Sequence, residues 1–248
     1  MMPPEVLHSP GLAHDRTQHL VFPGGGIFFW WQAGVIRALQ QHYDLTHQNF
    51  TMSGASAGSI SCVMAACNVN MDHAMDAAVR LAHEAGVFTR ARGLVGVWGK
   101  LIERWMHEIL PPHCHTICSG KVNISVTTIN AAFVPLHRRV INTFVSKQDV
   151  IDACLTSAHI PYVLDGCFSR TYRGETCVDG SFLFFLHGIP WCTAELFHGK
   201  DKALLLYHRK DAELVKHHWG ILQAIDETSL YRMFALGHAY GTLCQCRL

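Results

Sequence analysis

The sequence predicts an α/β fold built around a parallel sheet. Two successive strand-loop-helix units, followed by further alternation of strand-like and helix-like segments, lead to this prediction, since such alternation is typical of parallel sheets with helical connections. The composition supports it, because 49% of the 248 residues are hydrophobic and 16% are charged. A chain of this size and composition is expected to bury one sizeable core.

The first two units follow one another directly. An apolar run at residues 19–23, a tight loop of three glycines and a helix over residues 30–41 form the first unit. A strand at residues 49–53 and a helix over residues 57–67, rich in small side chains, form the second. Each unit therefore places a glycine-containing turn between a strand and the start of a helix.

Two further helices are predicted at residues 71–85, where Gly86 ends the helix, and at residues 94–109, where two prolines end it. The second is the most amphipathic segment of the chain. Its apolar stripe either faces the core or docks on a lipid surface. Basic residues that favour docking lie in or near it: Arg90, Arg92, Lys100 and Arg104.

The alternation continues in the second half of the chain. Strands are predicted at residues 122–126, 139–145, 176–178 and 203–207. Ser146 and Asp149 form a predicted capping box for a helix that runs toward Pro161. The last forty residues are predicted to be helical. With no repeat or linker, residues 19–248 are expected to form one domain after a poorly ordered extension at residues 1–18.

Charge and hydropathy exclude several classes of protein. A formal net charge of +1 gives no basic face for nucleic acid. Residues 1–18 lack the layout of a secretory signal, and the most apolar stretch, residues 20–39, is too interrupted to span a membrane. These features predict a cytoplasmic protein whose ten cysteines are mostly buried free thiols. They do not indicate an oligomeric state.

Histidines and cysteines cluster at residues 113–118 and, as cysteines alone, at Cys244 and Cys246. Neither cluster has the regular ligand spacing of a zinc site. We therefore expect packed cysteines and surface histidines rather than a metal ion. No motif indicates an organic cofactor.

The segment from Gly54 to Gly58 has the G-x-S-x-G pattern of a nucleophile elbow, with Ser56 at its centre. In such an elbow the serine occupies a strained strand-to-helix turn, and small neighbours expose its hydroxyl. The free N–H groups at the start of the next helix favour developing negative charge. Taken alone, the same pentapeptide also fits a glycine-rich turn capped by serine.

Gly24, Gly25 and Gly26 occupy the corresponding turn of the first unit. Their bare backbone allows N–H groups to point at a tetrahedral oxyanion, as acyl transfer requires. A dinucleotide-binding loop would need glycine at Phe29, and a P-loop would need a following Gly-Lys-Ser/Thr, which is missing. The glycine triplet therefore favours the interpretation of Ser56 as a nucleophile.

Asp179 follows an apolar strand and precedes Gly180, which permits a sharp turn. An aspartate at such a place is either a turn former or a functional acid. Its combination with the two upstream motifs favours a general base for Ser56.

The chain resembles the patatin-like phospholipase family, which includes adipose triglyceride lipase. Three motifs in order carry the resemblance: PGGGIFFWWQAGV at residues 23–35, GASAG at residues 54–58 and VDGSF at residues 178–182. A fourth segment, residues 157–161, is similar to the small-residue-then-Ile-Pro stretch that precedes the family's aspartate. Together they span residues 19–182, most of the chain.

This resemblance implies a three-layer α/β/α domain with a mostly parallel sheet, and hydrolysis of carboxylic esters in phospho-, galacto- or neutral glycerolipids without a cofactor. It implies peripheral contact with a membrane or lipid droplet. It assigns Ser56 as nucleophile and Asp179 as base. The glycine triplet would form the oxyanion hole, with three further glycines supporting the motifs: Gly54, Gly58 and Gly180.

Two positions depart from the family pattern. Phe29 stands where the glycine loop usually has a third glycine, and Ser181 stands where the family has glycine or alanine. The first departure affects the shape of the acyl pocket. The aromatic residues at 28–31 either form a wall of that pocket or pack in the core.

Three alternatives remain. A Ser-His-Asp triad on the α/β-hydrolase fold uses the same elbow, and His187, His198 or His208 would then supply the histidine. A transacylase would use the same dyad but pass the acyl group to an alcohol. A catalytically inactive lipid-binding protein would retain the motifs without turnover.

Overall fold

A computed structural model describes residues 17–90, 93–129, 136–183 and 203–244, and in these residues seven strands form one sheet. The strands are β1 (Gln18–Phe22), β2 (Phe50–Ala55), β3 (Val122–Ile129), β4 (Leu136–Ile141), β5 (Arg170–Tyr172), β6 (Glu175–Val178) and β7 (Ala203–Leu205). The helices are α1 (Phe29–Gln40), α2 (Ala57–Ala66), α3 (Met71–Glu84), α4 (Trp98–Ile109), α5 (Cys114–Cys118), α6 (Lys147–Ser157), α7 (Ala212–Val215) and α8 (Glu227–Cys244). Short 3-10 turns lie at Gly26–Phe28 and His208–Lys210.

The sheet is mixed, with a parallel centre. Strands β7, β1, β2 and β3 lie side by side and run parallel. Strands β4 and β6 pair antiparallel with β3, and β5 pairs antiparallel with β6. The predicted α/β fold with a mostly parallel sheet is confirmed.

Strand β3 brings the ends of two other strands together. Strands β2 and β4 pair with some of the same residues of β3, so they lie on opposite edges of that strand. Strands β4 and β6 also share partner residues on β3, so they too lie on opposite edges. Therefore β2 and β6 lie along one edge of β3. Since β2 is parallel and β6 antiparallel to β3, they run toward each other and end at Ala55 and Val178. The residues that follow, Ser56 and Asp179, meet between these two strand ends.

Helix α8 packs along α1 so closely that the backbones of the two helices approach each other directly. A Cβ atom at Gly237 would overlap the carbonyl oxygen of Trp31, and one at Gly34 would overlap that of Phe234. Glycine at these positions lets the two helices approach closely. The predicted helical tail is confirmed for α7 and α8, but residues 216–226 between them are not helical.

One predicted helix boundary is wrong. Helix α4 begins at Trp98 and not at residue 94. Gly96 adopts a φ of 79°, which is left-handed, and its N–H donates to the carbonyl of Val163 at 3.0 Å instead of to a helical carbonyl. Residues 94–97 therefore form turns that lead into the helix.

The strand predicted at residues 139–145 is shifted toward the N-terminus and corresponds to β4. The last residues of the predicted segment are not paired in the sheet. The N–H of Phe144 donates to Ser119 Oγ at 3.0 Å, and the N–H of Val145 donates to Asp149 Oδ2 at 2.9 Å. These bonds replace a sheet ladder beyond Ile141. The predicted cap is present, because Ser146 Oγ accepts from the N–H of Asp149 at 3.1 Å.

The findings on cysteines and on membrane-spanning helices apply to the described residues alone. Their eight cysteines are free, and six of them are buried. In these parts of the chain no helix is both long and apolar enough to cross a bilayer. Of the N-terminal extension expected at residues 1–18, residues 1–16 lie outside the described residues, as do Arg92 and Cys246, and Gln18 is the first residue of β1.

Candidate active site

Ser56 occupies a strained turn between β2 and α2. Its φ of 52° and ψ of −131° are sparsely populated by residues other than glycine, at a cost of about 1–3 kcal/mol. Hydrogen bonds hold its backbone, because its N–H donates to Ser157 Oγ at 2.9 Å and its carbonyl accepts from Ser59 Oγ at 2.6 Å and from the N–H of Ser59 at 2.9 Å. The serine is 5% exposed. This is the geometry expected of a nucleophile elbow.

The glycines of the pentapeptide permit close packing of this turn. A Cβ atom at Gly58 would overlap the carbonyl oxygen of Phe22 at the end of β1, and one at Gly54 would overlap that of Gly58. A side chain at Gly58 would therefore push the elbow away from β1. Strand β1 leads directly into the glycine loop, so these glycines bring Ser56 next to that loop.

The three glycines of the loop have different surroundings. A Cβ atom at Gly24 would overlap Ser181 Oγ and approach Ser56 Cβ to 3.0 Å. Gly26 requires glycine most strictly, because its φ is 55° and a Cβ atom would overlap the carbonyl oxygen of Ile221. The loop thus lies directly against the nucleophile.

Asp179 lies buried at the end of β6, with 1% of its surface exposed. Its Oδ1 accepts from the N–H of Ser181 at 2.7 Å, and its own N–H donates to the carbonyl of His159 at 2.8 Å. Within the described residues its Oδ2 makes no hydrogen bond of standard geometry, and the hydroxyls of Ser56 and Ser181 lie close enough to the carboxylate to interact with it. Burial raises the pKa of Asp179 from 3.8 to about 6, although the nearby hydroxyls of Ser56 and Ser181 act to lower it.

Ser157 links the two candidate residues and was not identified as functional from the sequence. Its Oγ accepts from Ser56 N–H and donates to the carbonyl of Ser125 on β3 at 2.6 Å. Its carbonyl accepts from the N–H of Gly180 at 2.8 Å. A Cβ atom at Gly180 would overlap the Ser125 carbonyl oxygen, so the turn after Asp179 packs against the same residue. The small-residue stretch before Pro161 was the sequence signal for this segment.

A second buried bridge joins the nucleophile helix to the glycine loop. Gln32 on α1 accepts at Oε1 from Ser61 Oγ of α2 at 2.6 Å, and its Nε2 donates to the carbonyl of Pro23 at 2.7 Å. Both polar ends of a fully buried amide are therefore satisfied. Sequence reasoning missed this residue, since a glutamine in an apolar stretch has no functional signature.

Ser56 lies in the wall of a cavity whose other lining residues are mostly apolar. They come from the start of α1, from α3, from α4 and from the segments around residues 87–95, 158–163 and 222–230. The apolar stripe of α4 contributes four of them: Trp98, Leu101, Ile102 and Trp105. This stripe therefore faces the cavity and the core.

The four aromatic residues at the start of α1 divide between the two predicted roles. Phe29 and Trp30 line the cavity. Phe28 stacks on His208 with ring centroids 4.0 Å apart, and the indole N–H of Trp31 donates to Asp211 at 2.7 Å. Two of the four thus form a wall of the cavity, and two pack behind it.

Of the three histidines that a triad would require, only His208 lies among the described residues. It is buried beneath the glycine loop, where a Cβ atom at Gly25 would be 3.2 Å from its Nδ1. Burial, assisted by Arg209, lowers its pKa to about 4, so the ring is neutral at physiological pH. The imidazole faces Gly25 and Phe28. His187 and His198 lie outside the described residues.

No three histidine, cysteine, aspartate or glutamate side chains of the described chain are grouped so as to hold a metal ion. Cys67 Sγ and Cys118 Sγ lie 3.8 Å apart, and the hydrogen bond with Cys67, together with burial, raises the pKa of Cys118 far above its usual range. The Cys118 thiol therefore packs as a neutral group.

Comparison with known proteins gives a match between residues 20–187 and the model of the family described as patatin-like phospholipase. The match contains the glycine loop, Ser56 and Asp179. Similar human (Homo sapiens) proteins include an omega-hydroxyceramide transacylase, 25% identical over 178 residues, which are 68% of this chain and 31% of the relative. They also include 1-acylglycerol-3-phosphate O-acyltransferase PNPLA3, 27% identical over 172 residues, which are 67% of this chain and 34% of the relative.

A third human relative is patatin-like phospholipase domain-containing protein 2. It is 27% identical over 172 residues, which are 67% of this chain and 32% of the relative. The chain thus spans about a third of the length of the curated relatives that it matches.

Proposed function

The chain belongs to the patatin-like phospholipase family, a family of lipid hydrolases and acyltransferases, and on this premise we propose that it hydrolyses carboxylic esters of glycerolipids through an acyl-enzyme. One observation carries the proposal. A strained serine in the wall of an apolar cavity lies beside a buried carboxylate, and its hydroxyl interacts with that carboxylate. This arrangement suits proton transfer from Ser56 to Asp179.

In the proposed reaction, Asp179 Oδ2 takes the proton of Ser56 Oγ as that oxygen attacks the ester carbonyl. The alcohol part of the lipid leaves with a proton returned from Asp179, and the acyl group remains on Ser56. Water then attacks the acyl-enzyme, gives its proton to Asp179 and releases the fatty acid. The raised pKa of Asp179, about 6, makes the carboxylate a stronger base than an exposed aspartate while leaving it ionised at neutral pH.

The proposed oxyanion hole consists of N–H groups of the glycine loop. The N–H of Ser56 is already bonded to Ser157 Oγ, which removes it as a donor. No hydrogen bond engages the N–H groups of Gly25 and Gly26 among the described residues. Such preorganised donors typically contribute about a hundred- to a thousandfold to turnover. Gly24 packs against Ser56 and Ser181, and a Cβ atom there would lie 3.0 Å from Ser56 Cβ.

The cavity suggests the chemical class of the acyl group. Its walls are aliphatic and aromatic, and Gln223 is one of the few polar side chains that reach it. Such a surface binds a hydrocarbon chain through the hydrophobic effect, which contributes about 0.8 kcal/mol per buried methylene. A fatty acyl chain therefore fits better than a polar acyl group.

The proposed function is tested by product analysis. Purified protein incubated with phospholipid, galactolipid and triacylglycerol, each with and without a monoacylglycerol acceptor, is expected to release free fatty acid from at least one class. Two of the relatives are described as a transacylase and an acyltransferase. Transacylation is therefore the second candidate, and new ester with little free acid would support it. Lack of any product together with tight lipid binding would support an inactive lipid-binding protein.

Contact with a lipid surface is proposed at the mouth of the cavity. Val95 and Leu222 line the cavity and are also exposed, at 41% and 47%. Replacing both with glutamate is expected to weaken binding to phosphatidylcholine vesicles by about tenfold or more, since two apolar anchors are lost and two charges are added. Co-sedimentation with sucrose-loaded vesicles measures the binding.

The matched control is Val145→Glu, because Val145 is exposed by 83% but does not line the cavity. This variant is expected to bind vesicles as the unaltered protein does. Equal binding by the double variant and the control would contradict docking through the cavity mouth.

A further inference from the structure

Three aromatic rings that pack on one another line the cavity beside the nucleophile: Phe29, Trp30 and Trp105. The ring of Phe29 meets both indoles edge to face, with its centroid 5.0 Å from that of Trp30 and 5.5 Å from that of Trp105. The two indole centroids lie 5.9 Å apart. Edge-to-face pairs at such distances are favourable beyond the area that they bury. The three rings therefore form one aromatic cluster, built from the start of α1 and from α4.

Backbone and packing hold this aromatic cluster in place. Phe29 and Trp105 are 7% and 5% exposed, so both rings are surrounded by protein. The indole N–H of Trp105 donates to the carbonyl of Ala74 on α3 at 2.8 Å, and rotation of the ring would leave a buried donor without a partner. Phe29 is the first residue of α1, which fixes the direction of its Cα–Cβ bond. A hydrocarbon chain would have to displace packed rings in order to extend past the cluster.

The cavity has an exposed end and a buried end. Val95 and Leu222 form its mouth, whereas Ser56 and Phe29 are buried parts of its wall. Phe29 follows Gly26 by three residues, so the proposed oxyanion hole lies next to the aromatic cluster along the chain. An acyl group whose carbonyl is held at this loop therefore begins close to Phe29.

We infer that Phe29, held by Trp30 and Trp105, limits the length of the acyl chain that the buried part of the cavity accepts. The wall favours chains that end at the aromatic cluster over longer ones. This inference rests on the proposed function, because it needs an acyl group on Ser56, and it adds the residue that determines selectivity for that group. Phe29 replaces a glycine of the family pattern, so the limit is expected to be a property of this chain.

The test compares two esters that differ in acyl length alone, p-nitrophenyl octanoate and p-nitrophenyl palmitate, in the same Triton X-100 mixed micelles. Replacing Phe29 with alanine removes the ring and opens a space for further methylenes. Each methylene that becomes buried contributes about fourfold to binding. The ratio of kcat/KM for palmitate to kcat/KM for octanoate is therefore expected to rise about tenfold or more in Phe29→Ala. This ratio does not depend on the fraction of active protein in a preparation, so a general loss of activity does not change it.

The matched control is Phe50→Ala, which removes the same side chain from a residue that is also buried, at 8% exposure. Phe50 is the first residue of β2, at the opposite end of that strand from Ser56, and it does not line the cavity. The control should keep the palmitate-to-octanoate ratio within about twofold. Phe29→Leu loses less volume and is expected to give a smaller rise in the ratio. It provides the test if circular dichroism shows that Phe29→Ala does not fold.

An unchanged ratio in the folded Phe29 variants would overturn the inference, and so would an equal rise in Phe50→Ala. Absence of hydrolysis of every ester by the unaltered protein would contradict the proposed function instead. The length limit would then be read from the binding of octanoate and palmitate by isothermal titration calorimetry. A selective gain of palmitate affinity in Phe29→Ala would support the limit, and an unchanged affinity ratio would overturn it. The two failures are thus distinguishable.

Discussion

Replacing Ser56 with alanine is expected to abolish covalent labelling by a fluorophosphonate and to lower ester turnover by roughly a thousandfold or more, as removal of a catalytic nucleophile does in other serine hydrolases. The fold should survive. The structural hydrogen bonds of Ser56 involve its backbone N–H and carbonyl, which alanine retains. In-gel fluorescence with the labelled probe and a soluble chromogenic ester measure the two effects.

The control for this change is Ser53→Ala, which removes a buried hydroxyl from β2, three residues before Ser56. It should label as the unaltered protein does. Circular dichroism should give the same melting temperature for Ser56→Ala and the unaltered protein within a few degrees. Undiminished labelling of a folded Ser56→Ala protein would assign the nucleophile to another residue.

The parts of the site that the sequence predicts are those with strict local requirements. The elbow needs small residues on both sides of Ser56, because a side chain at Gly58 would overlap the backbone of β1. Gly26 needs a positive φ. Such requirements restrict the residue type at each position, so they produce a pattern that is recognisable in the amino-acid sequence. The alternation of strands and helices is readable for the same reason.

What the sequence does not predict depends on contacts between distant segments. The direction of β6, antiparallel to β3, decides that Asp179 faces Ser56, but the sequence of a four-residue strand does not reveal the direction in which it pairs. The bridging roles of Ser157 and Gln32 arise from three separate elements each. Their residue types are common in helices and carry no signature.

The segment after the family match also escaped prediction. The carbonyl of Ile221 accepts from the N–H of Ile27 at 3.0 Å, and His208 packs beneath Gly25. Residues that are distant in the chain thus support the glycine loop from behind. Length and periodicity identify helices in this part of the chain, but they do not reveal which residues between the helices support the glycine loop.

Asp179→Asn is expected to lower kcat by about three orders of magnitude or more, because the amide keeps the shape of the side chain but does not accept the proton of Ser56. The amide oxygen is still able to accept from the N–H of Ser181, so the turn should remain intact. Steady-state kinetics on one soluble ester, with fluorophosphonate labelling rates, measure the loss.

The pH dependence should follow the same carboxylate. Since the ionised form is the base and its pKa is about 6, kcat/KM should rise with pH through about 6 and level off above it. Burial raises this pKa in the folded chain above its ordinary 3.8, so folding favours the protonated form. The stabilisation that results is complete below about pH 4 and is lost as pH rises through about 6. The asparagine variant should not show this loss.

Catalysis by a dyad further requires that no histidine replace Asp179 as the base. His208→Phe keeps a ring stacked on Phe28, and the imidazole Nδ1 that it removes has no hydrogen-bond partner in the described residues. Its kcat should therefore remain within about tenfold, and the same limit should hold for single replacements of His187 and His198. Thermal melting of each variant establishes that it is folded. Loss of three or more orders of magnitude in any folded histidine variant would replace the dyad with a triad.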